Sequence, residues 1–166
     1  MSIAKKAARG VAWNMAVGIS ARVLQLVGTV LLTRFIAPDA YGALRYLAEL
    51  DNIDADRIGI MGFSWGGVVA MLTATDPYTD QYSADLSGLK FAAHVAHYPI
   101  CWIYNSVEGY DFDSFTGAPV LIQAGGRDDY DDSLGMCSAL VDYLDEDFIS
   151  VNTYRKATHA WDRLQP

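Results

Sequence analysis

The sequence predicts an α/β protein, in which a parallel sheet with flanking helices is preceded by one long apolar helix. Three observations predict this fold. Short apolar segments alternate with helix-like segments after residue 43, several of the apolar segments end at turns containing Gly or Pro, and residues 11–37 are mostly apolar. The predicted elements are helices at 43–50, 66–75 and 132–144 and strands at 57–61, 91–98, 119–124 and 148–154.

The segment 11–37 is long enough to cross a bilayer as a helix, which takes about 20 residues. Three basic residues precede it, and Pro38 follows where a helix should end. Its few polar side chains, including Arg22, fall on one narrow stripe at helical spacing. We therefore expect either a membrane-associated helix or an amphipathic helix packed on the rest of the chain.

Charge divides the chain near residue 42. Residues 1–42 hold five basic residues and one acidic residue, a net charge of +4, whereas residues 43–166 hold seven basic and nineteen acidic residues, a net charge of −12. Such asymmetry predicts two segments in different surroundings. The share of apolar residues, 52%, excludes a disordered chain, and the overall charge of −8 argues against nucleic-acid binding.

The two cysteines, Cys101 and Cys137, are too few for a disulfide scaffold, and they form no C-x-x-C pair that would indicate structural zinc. They would pair in an oxidising compartment. Two buried free thiols are an equal alternative.

Residues 62–66 read G-F-S-W-G, a G-x-S-x-G motif between a predicted strand and a predicted helix. This context is typical of a nucleophile elbow, where a strained turn lifts Ser64 clear of the sheet and glycines let neighbouring chain pass closely. The backbone N–H of Trp65, at the start of the helix, can then face a developing oxyanion. The alternative is a glycine-rich helix start with Ser64 as a simple N-cap.

A serine nucleophile needs a general base, and three histidines are candidates. His94 and His97 fall in or at the end of a predicted strand, where a structural role is expected. His159 instead follows the last predicted strand, at the end where open α/β sheets build their sites. The sequence therefore favours His159 as the base.

The base in turn needs an orienting acid, which we expect in the loop after the strand at 119–124. Asp128 lies in this loop within Gly-Gly-Arg-Asp, and Asp129 and Asp131 are close alternatives. The resulting order of serine, aspartate and histidine along the chain is the order found in hydrolases with this elbow.

The first segment holds Trp13, Arg22, Gln25 and the run LTRFIAPDAYG at 32–42. This pattern resembles the start of bacterial polysaccharide-flippase-type transporters, whose first membrane helix ends in Arg, then Pro, an acidic residue and Tyr-Gly or Phe-Gly. The resemblance implies membrane contact through 11–37. It does not imply transport, which requires many membrane helices.

The second segment holds four separated pieces that occur in the order RIGIMGFSWGG, VAHYPIC, PVLIQAGGRDD and ATHAWD. Together they resemble the dienelactone hydrolase family of α/β-hydrolases over residues 43–166. The resemblance implies a hydrolase of small ester or lactone bonds with no metal and no organic cofactor. On the matching positions it implies Ser64 as nucleophile, Asp128 as orienting acid and His159 as general base, with serine where many members carry cysteine.

A complete α/β-hydrolase has several strands before the nucleophile strand, where this sequence offers one helix. We therefore expect a partial α/β-hydrolase fold whose strand at 57–61 has an open edge and whose site is impaired. A junction near residues 42 and 43 would explain both segments, and the alternative function is a non-catalytic, membrane-tethered or unstable fusion remnant. We expect a cytoplasmic location, or attachment to the inner membrane through 11–37.

Overall fold

The computed structural model describes residues 39–84, 88–131 and 133–162 of the chain. Within them four strands form one fully parallel sheet, in which spatial order follows chain order. Because all four strands run in the same direction, their carboxyl ends meet at one rim of the sheet. The strands are β1 (Ile60–Phe63), β2 (His94–His97), β3 (Val120–Gly125) and β4 (Ile149–Tyr154).

Four helices connect or flank these strands, as the predicted α/β pattern requires. Of the two helices between β1 and β2, the first is buried almost all round because its residues 67–72 are apolar or glycine. The helices are α1 (39–48), α2 (Trp65–Leu72), α3 (Asp76–Ser83) and α4 (Met136–Leu144), with short 3-10 turns at Ala55–Arg57 and Cys101–Ile103.

An apolar cluster at the amino ends of β1 and β2 holds α1 against the sheet. Tyr41 and Leu44 of α1 are buried there with Ile58 and Phe91. The Tyr41 hydroxyl forms a 3.1 Å hydrogen bond with Oγ1 of Thr79, and both residues are buried. Both hydroxyl groups therefore have a hydrogen-bond partner inside the core. Helix α1 runs through residue 42, where the sequence predicts a boundary between two segments. That boundary stays a prediction.

Several element bounds predicted from the sequence are wrong. The first strand begins at Ile60, not at residue 57, because Asp54 caps a 3-10 turn at Ala55–Arg57. The second strand is shortened to His94–His97. Helix α3 was not predicted, since its sequence DPYTDQYS carries too few apolar residues to give a helical stripe.

The predicted apolar helix at 11–37 lies outside the described residues, and so does most of the flippase-like segment, of which only 39–42 are described as part of α1. Among the helices that the structure does describe, none combines the length and the hydropathy needed to cross a membrane. The open edge predicted for the first strand is observed within the described ranges, because β1 pairs there with β2 alone.

Candidate active site

Ser64 occupies the sharp turn between β1 and α2, the strand–turn–helix context that the sequence predicts. Its backbone has φ 54° and ψ −117°, a conformation that costs free energy for a residue with a side chain. The Ser64 N–H donates to the carbonyl of His97 at 2.9 Å, which fastens the turn to the carboxyl end of β2. The side chain stands half-buried at the rim of the sheet.

Close backbone packing explains the glycine that precedes the serine. A Cβ at position 62 would lie 1.9 Å from the carbonyl oxygen of Gly66, so only glycine fits. At Gly67 a Cβ would meet the carbonyl of His97 at 3.1 Å. Gly66 itself faces open space, so the expectation that both flanking glycines are needed for close approach is wrong for Gly66.

Three side chains that are far apart in the sequence form one hydrogen-bonded chain at this rim. Ser64 Oγ lies 2.9 Å from His159 Nε2, and His159 Nδ1 lies 2.9 Å from Asp128 Oδ2. The Asp128 side chain is 6% exposed and that of His159 is 20% exposed, so the carboxylate is shielded while the imidazole reaches solvent. With Nδ1–H donating to Asp128, Nε2 is free to accept the serine proton.

The loops that carry the aspartate and the histidine are held together by their backbones. The turn after β4 passes so close to the end of β3 that a Cβ at Gly125 would lie 2.8 Å from the carbonyl oxygen of Ala157. Arg127 N–H donates to that same carbonyl at 2.8 Å. The double glycine thus lets the His159 loop lie on the Asp128 loop, and this contact sets the distance between the two side chains.

The two alternative acids, Asp129 and Asp131, have different surroundings from Asp128. Asp129 is exposed. Asp131 is buried, but its Oδ1 accepts the backbone N–H of Trp102 at 3.0 Å and its Oδ2 lies 3.4 Å from Cys137 Sγ. Neither makes a hydrogen bond with His159 among the contacts described, whereas Asp128 does.

The other two histidines belong to β2. The His97 ring stacks on Phe63, with centroids 4.7 Å apart. His94 is fully buried at the amino end of the strand, and within the described residues neither ring nitrogen makes a hydrogen bond of normal geometry. Burial lowers the pKa of His94 to about 4, and the backbone carbonyls of Thr73 and Pro119 oppose this effect only in part. The structural role that the strand pattern suggests for both histidines stays a prediction.

Two tyrosines contact the imidazole, and neither contact was predicted from the sequence. Tyr98 has φ 38°, its ring meets the His159 ring edge-on at 5.0 Å, and its hydroxyl donates to Asp162 Oδ1 at 2.5 Å. The ring of Tyr130 stacks on His159 at 4.7 Å. The only signal in the sequence was position, since Tyr98 ends a strand and Tyr130 follows the acidic loop residue by two.

Cys101 and Cys137 form a disulfide between the 3-10 turn after β2 and the start of α4. This decides between the two alternatives that the sequence left open. The two sulfurs and the Asp131 carboxylate lie within 4.8 Å of one another, a grouping that would suit a metal ion. Because each sulfur is already bonded to the other, neither is available as a thiolate ligand.

Comparisons with known proteins find similarity to a peptidase family and to individual hydrolases. The signature of the prolyl oligopeptidase family matches residues 33–108. A probable 2-oxo-3-(5-oxofuran-2-ylidene)propanoate lactonase from Bradyrhizobium sp. is 29% identical over 114 residues, which cover 69% of this chain and 43% of the lactonase. An uncharacterized peptidase of Bacillus subtilis, YtmA, is 50% identical over 38 residues, 23% of this chain and 15% of that protein.

Among solved structures, an esterase from Thermogutta terrifontis, Est2 with butyrate bound, matches 75% of this chain with a TM-score of 0.53 and 17% identity. The described part of the chain has the α/β-hydrolase fold. This α/β-hydrolase segment spans 56% of the esterase chain and less than half of the two curated relatives. All of these matches concern hydrolases and peptidases, and they lend no support to the flippase resemblance of residues 1–42.

Proposed function

We propose that this chain is a serine hydrolase of small ester or lactone bonds, of the dienelactone hydrolase type, with Ser64 as nucleophile, His159 as general base and Asp128 as orienting acid. The observation that carries the proposal is the unbroken chain of 2.9 Å hydrogen bonds from serine through histidine to aspartate, on a strained elbow at the carboxyl rim. The lactonase relative and the esterase of similar fold support the substrate class.

The chemistry follows from the two hydrogen bonds. Ser64 Oγ attacks the carbonyl carbon while His159 Nε2 takes its proton, and Asp128 stabilises the imidazolium through Nδ1–H. The carbonyl oxygen becomes an oxyanion, which the N–H of Trp65 stabilises because the first N–H groups of a helix have no intrahelical acceptor. His159 then protonates the leaving alkoxide, the C–O bond breaks, and water releases the acyl group from the serine by the same steps in reverse.

A fluorophosphonate probe tests the nucleophile directly, since it labels only an activated serine. The wild-type protein should be labelled, Ser64→Ala should not, and Ser106→Ala, which changes an exposed serine after β2, should label as the wild type does. Folded wild-type protein that takes up no label would overturn the proposal and leave the non-catalytic remnant.

Substrate competition tests the subtype. We expect hydrolysis of 4-nitrophenyl butyrate and of a five-membered lactone, and no cleavage of a prolyl peptide anilide. Cleavage of the peptide substrate alone would contradict the dienelactone assignment and favour a peptidase such as the family signature at residues 33–108 suggests.

A further inference from the structure

Tyr130 contacts both partners of the acid–base pair, although the reaction steps above do not use it. Its ring lies nearly parallel to the His159 imidazole, with centroids 4.7 Å apart and 25° between the planes. Its backbone N–H donates to Asp128 Oδ1 at 3.1 Å, on the carboxylate whose other oxygen binds His159. One residue therefore touches the base through its side chain and the acid through its main chain.

The imidazole becomes a cation each time it takes the serine proton, and an aromatic face attracts a cation through its quadrupole. A stacked ring also restricts rotation of the imidazole, so that Nε2 stays directed at Ser64. The N–H bond to Oδ1 fixes the Asp128 carboxylate so that Oδ2 faces Nδ1. These contacts act together, because the stacked ring and the fixed carboxylate both hold the imidazole in its hydrogen-bonded orientation.

We propose that Tyr130 is a positioning residue for His159, and that its ring face stabilises the imidazolium formed when Ser64 attacks. This inference rests on the proposed function, in which His159 is the base. It extends that function because the two hydrogen bonds involve only the nitrogens at the edge of the imidazole. The inference assigns a role to the contact on its face.

The ring can be removed without disturbing either hydrogen bond of the base. The groups seen to contact the imidazole are Ser64 at Nε2, Asp128 at Nδ1, and the rings of Tyr98 and Tyr130. Asp162 reaches it only through the Tyr98 hydroxyl. The hydrogen bond to Asp128 Oδ1 is donated by the backbone N–H of residue 130. A substitution at this position therefore changes the stacked ring and keeps the hydrogen bond.

The test measures the rate of fluorophosphonate labelling as a function of pH for Tyr130→Leu and Tyr130→Phe. Loss of an exposed cation–π contact should slow labelling by Tyr130→Leu about threefold and move the midpoint of its rising limb down by about half a pH unit. Tyr130→Phe keeps the ring and should stay closer to the wild type than Tyr130→Leu does. Phenylalanines carrying one, two or three ring fluorines at position 130 should lower the rate step by step, because fluorine weakens the quadrupole with little change in shape.

Equal rates and equal midpoints in wild type and Tyr130→Leu would overturn the inference, and so would a flat fluorine series. A separate readout keeps this failure distinct from failure of the proposed function. The titration of the His159 ring followed by NMR, assigned with His159→Gln, should show the same downward shift in Tyr130→Leu even if the protein takes up no probe. An unshifted ring titration would also overturn the inference, whatever the labelling shows.

Discussion

Each end of the sheet contains a histidine, and the two histidines differ in their hydrogen bonds and in their exposure. At the carboxyl end, both nitrogens of His159 have hydrogen-bond partners and its side chain is 20% exposed. At the amino end, His94 is 1% exposed, and in the part of the chain that the structure describes neither of its ring nitrogens makes a hydrogen bond of normal geometry. A histidine that exchanges protons needs partners and access to solvent, whereas a histidine enclosed by apolar packing stays neutral.

Positive φ angles of non-glycine residues are more frequent at the carboxyl end. Three non-glycine residues with positive φ lie at the carboxyl rim: Ser64, Tyr98 and Ala160, which follows His159. At the other end Asp145, which follows α4 and precedes β4, also has a positive φ of 51°, and Tyr41, Leu44 and their neighbours pack into an apolar cluster. Strain of this kind persists only where surrounding contacts hold it, and at Ser64 the bond from its N–H to the His97 carbonyl is such a contact.

The comparison predicts its largest effect for Asp128→Asn, which changes the partner of His159 at the carboxyl end. The amide cannot accept the Nδ1–H bond as a carboxylate does, so the imidazole loses its orientation, and we expect the rate of ester hydrolysis to fall about a thousandfold or more. Asp129→Asn removes the same charge one residue away, at an exposed site, and should change the rate less than twofold. Comparable losses of rate in both variants would show that the hydrogen bond between Asp128 and His159 does not account for the effect.

Gly62→Ala should sharpen the comparison by showing that the elbow depends on close packing. The new Cβ would meet the Gly66 carbonyl at 1.9 Å, and we expect a loss of about 3 kcal/mol or more in the free energy of unfolding, together with loss of labelling. Gly66→Ala adds the same methyl group where nothing lies within 4 Å and should be neutral or stabilising by about 0.5 kcal/mol, as expected for alanine in a helix. Urea unfolding measures both, and equal stability of the two variants would be inconsistent with the packing argument.

At the amino end we expect a pH effect on stability alone. The pKa of His94 is lowered to about 4 in the folded protein, whereas the unfolded chain titrates near 6.5. As the pH falls from 6.5 towards 4 the unfolded state therefore binds a proton that the folded state refuses, and up to about 3 kcal/mol of stability is lost. His94→Leu should remove this part of the pH dependence, and His97→Gln should retain it. Urea unfolding at pH 7, 6, 5 and 4 gives the slopes, and identical slopes for wild type and His94→Leu would refute the assignment.

The sequence predicted which strands and helices carry the candidate site, but it predicted less accurately where each of them begins and ends. The convergence of Ser64, Asp128 and His159 could be predicted, because the elbow requires glycine in a fixed local pattern and because Asp128 and His159 each follow a strand end. The start of β1 could not be found, because Asp54 closes a turn by a hydrogen bond between neighbouring residues that leaves the apolar pattern unchanged. A short apolar run does not mark its own ends.

The contacts around the imidazole could not be predicted, for a different reason. Tyr98 and Asp162 are 64 residues apart and meet only because parallel strands bring their loops to one rim. Tyr130 stacks on a ring 29 positions away, and nothing in the local sequence distinguishes it from any other exposed tyrosine. Long-range partners depend on the sheet register, which spacing along the chain does not determine.

The disulfide between Cys101 and Cys137 encloses β3 and Asp128 in a covalent loop with a sequence separation of 36. Closing a loop of that size restricts the unfolded chain by about 4 kcal/mol at 25 °C in the chain-entropy model. A sample kept in dithiothreitol is thus a thermodynamically different protein from one kept in air. Purification in a thiol-free buffer preserves this cross-link, which keeps residues 101 and 137 together when the fold melts.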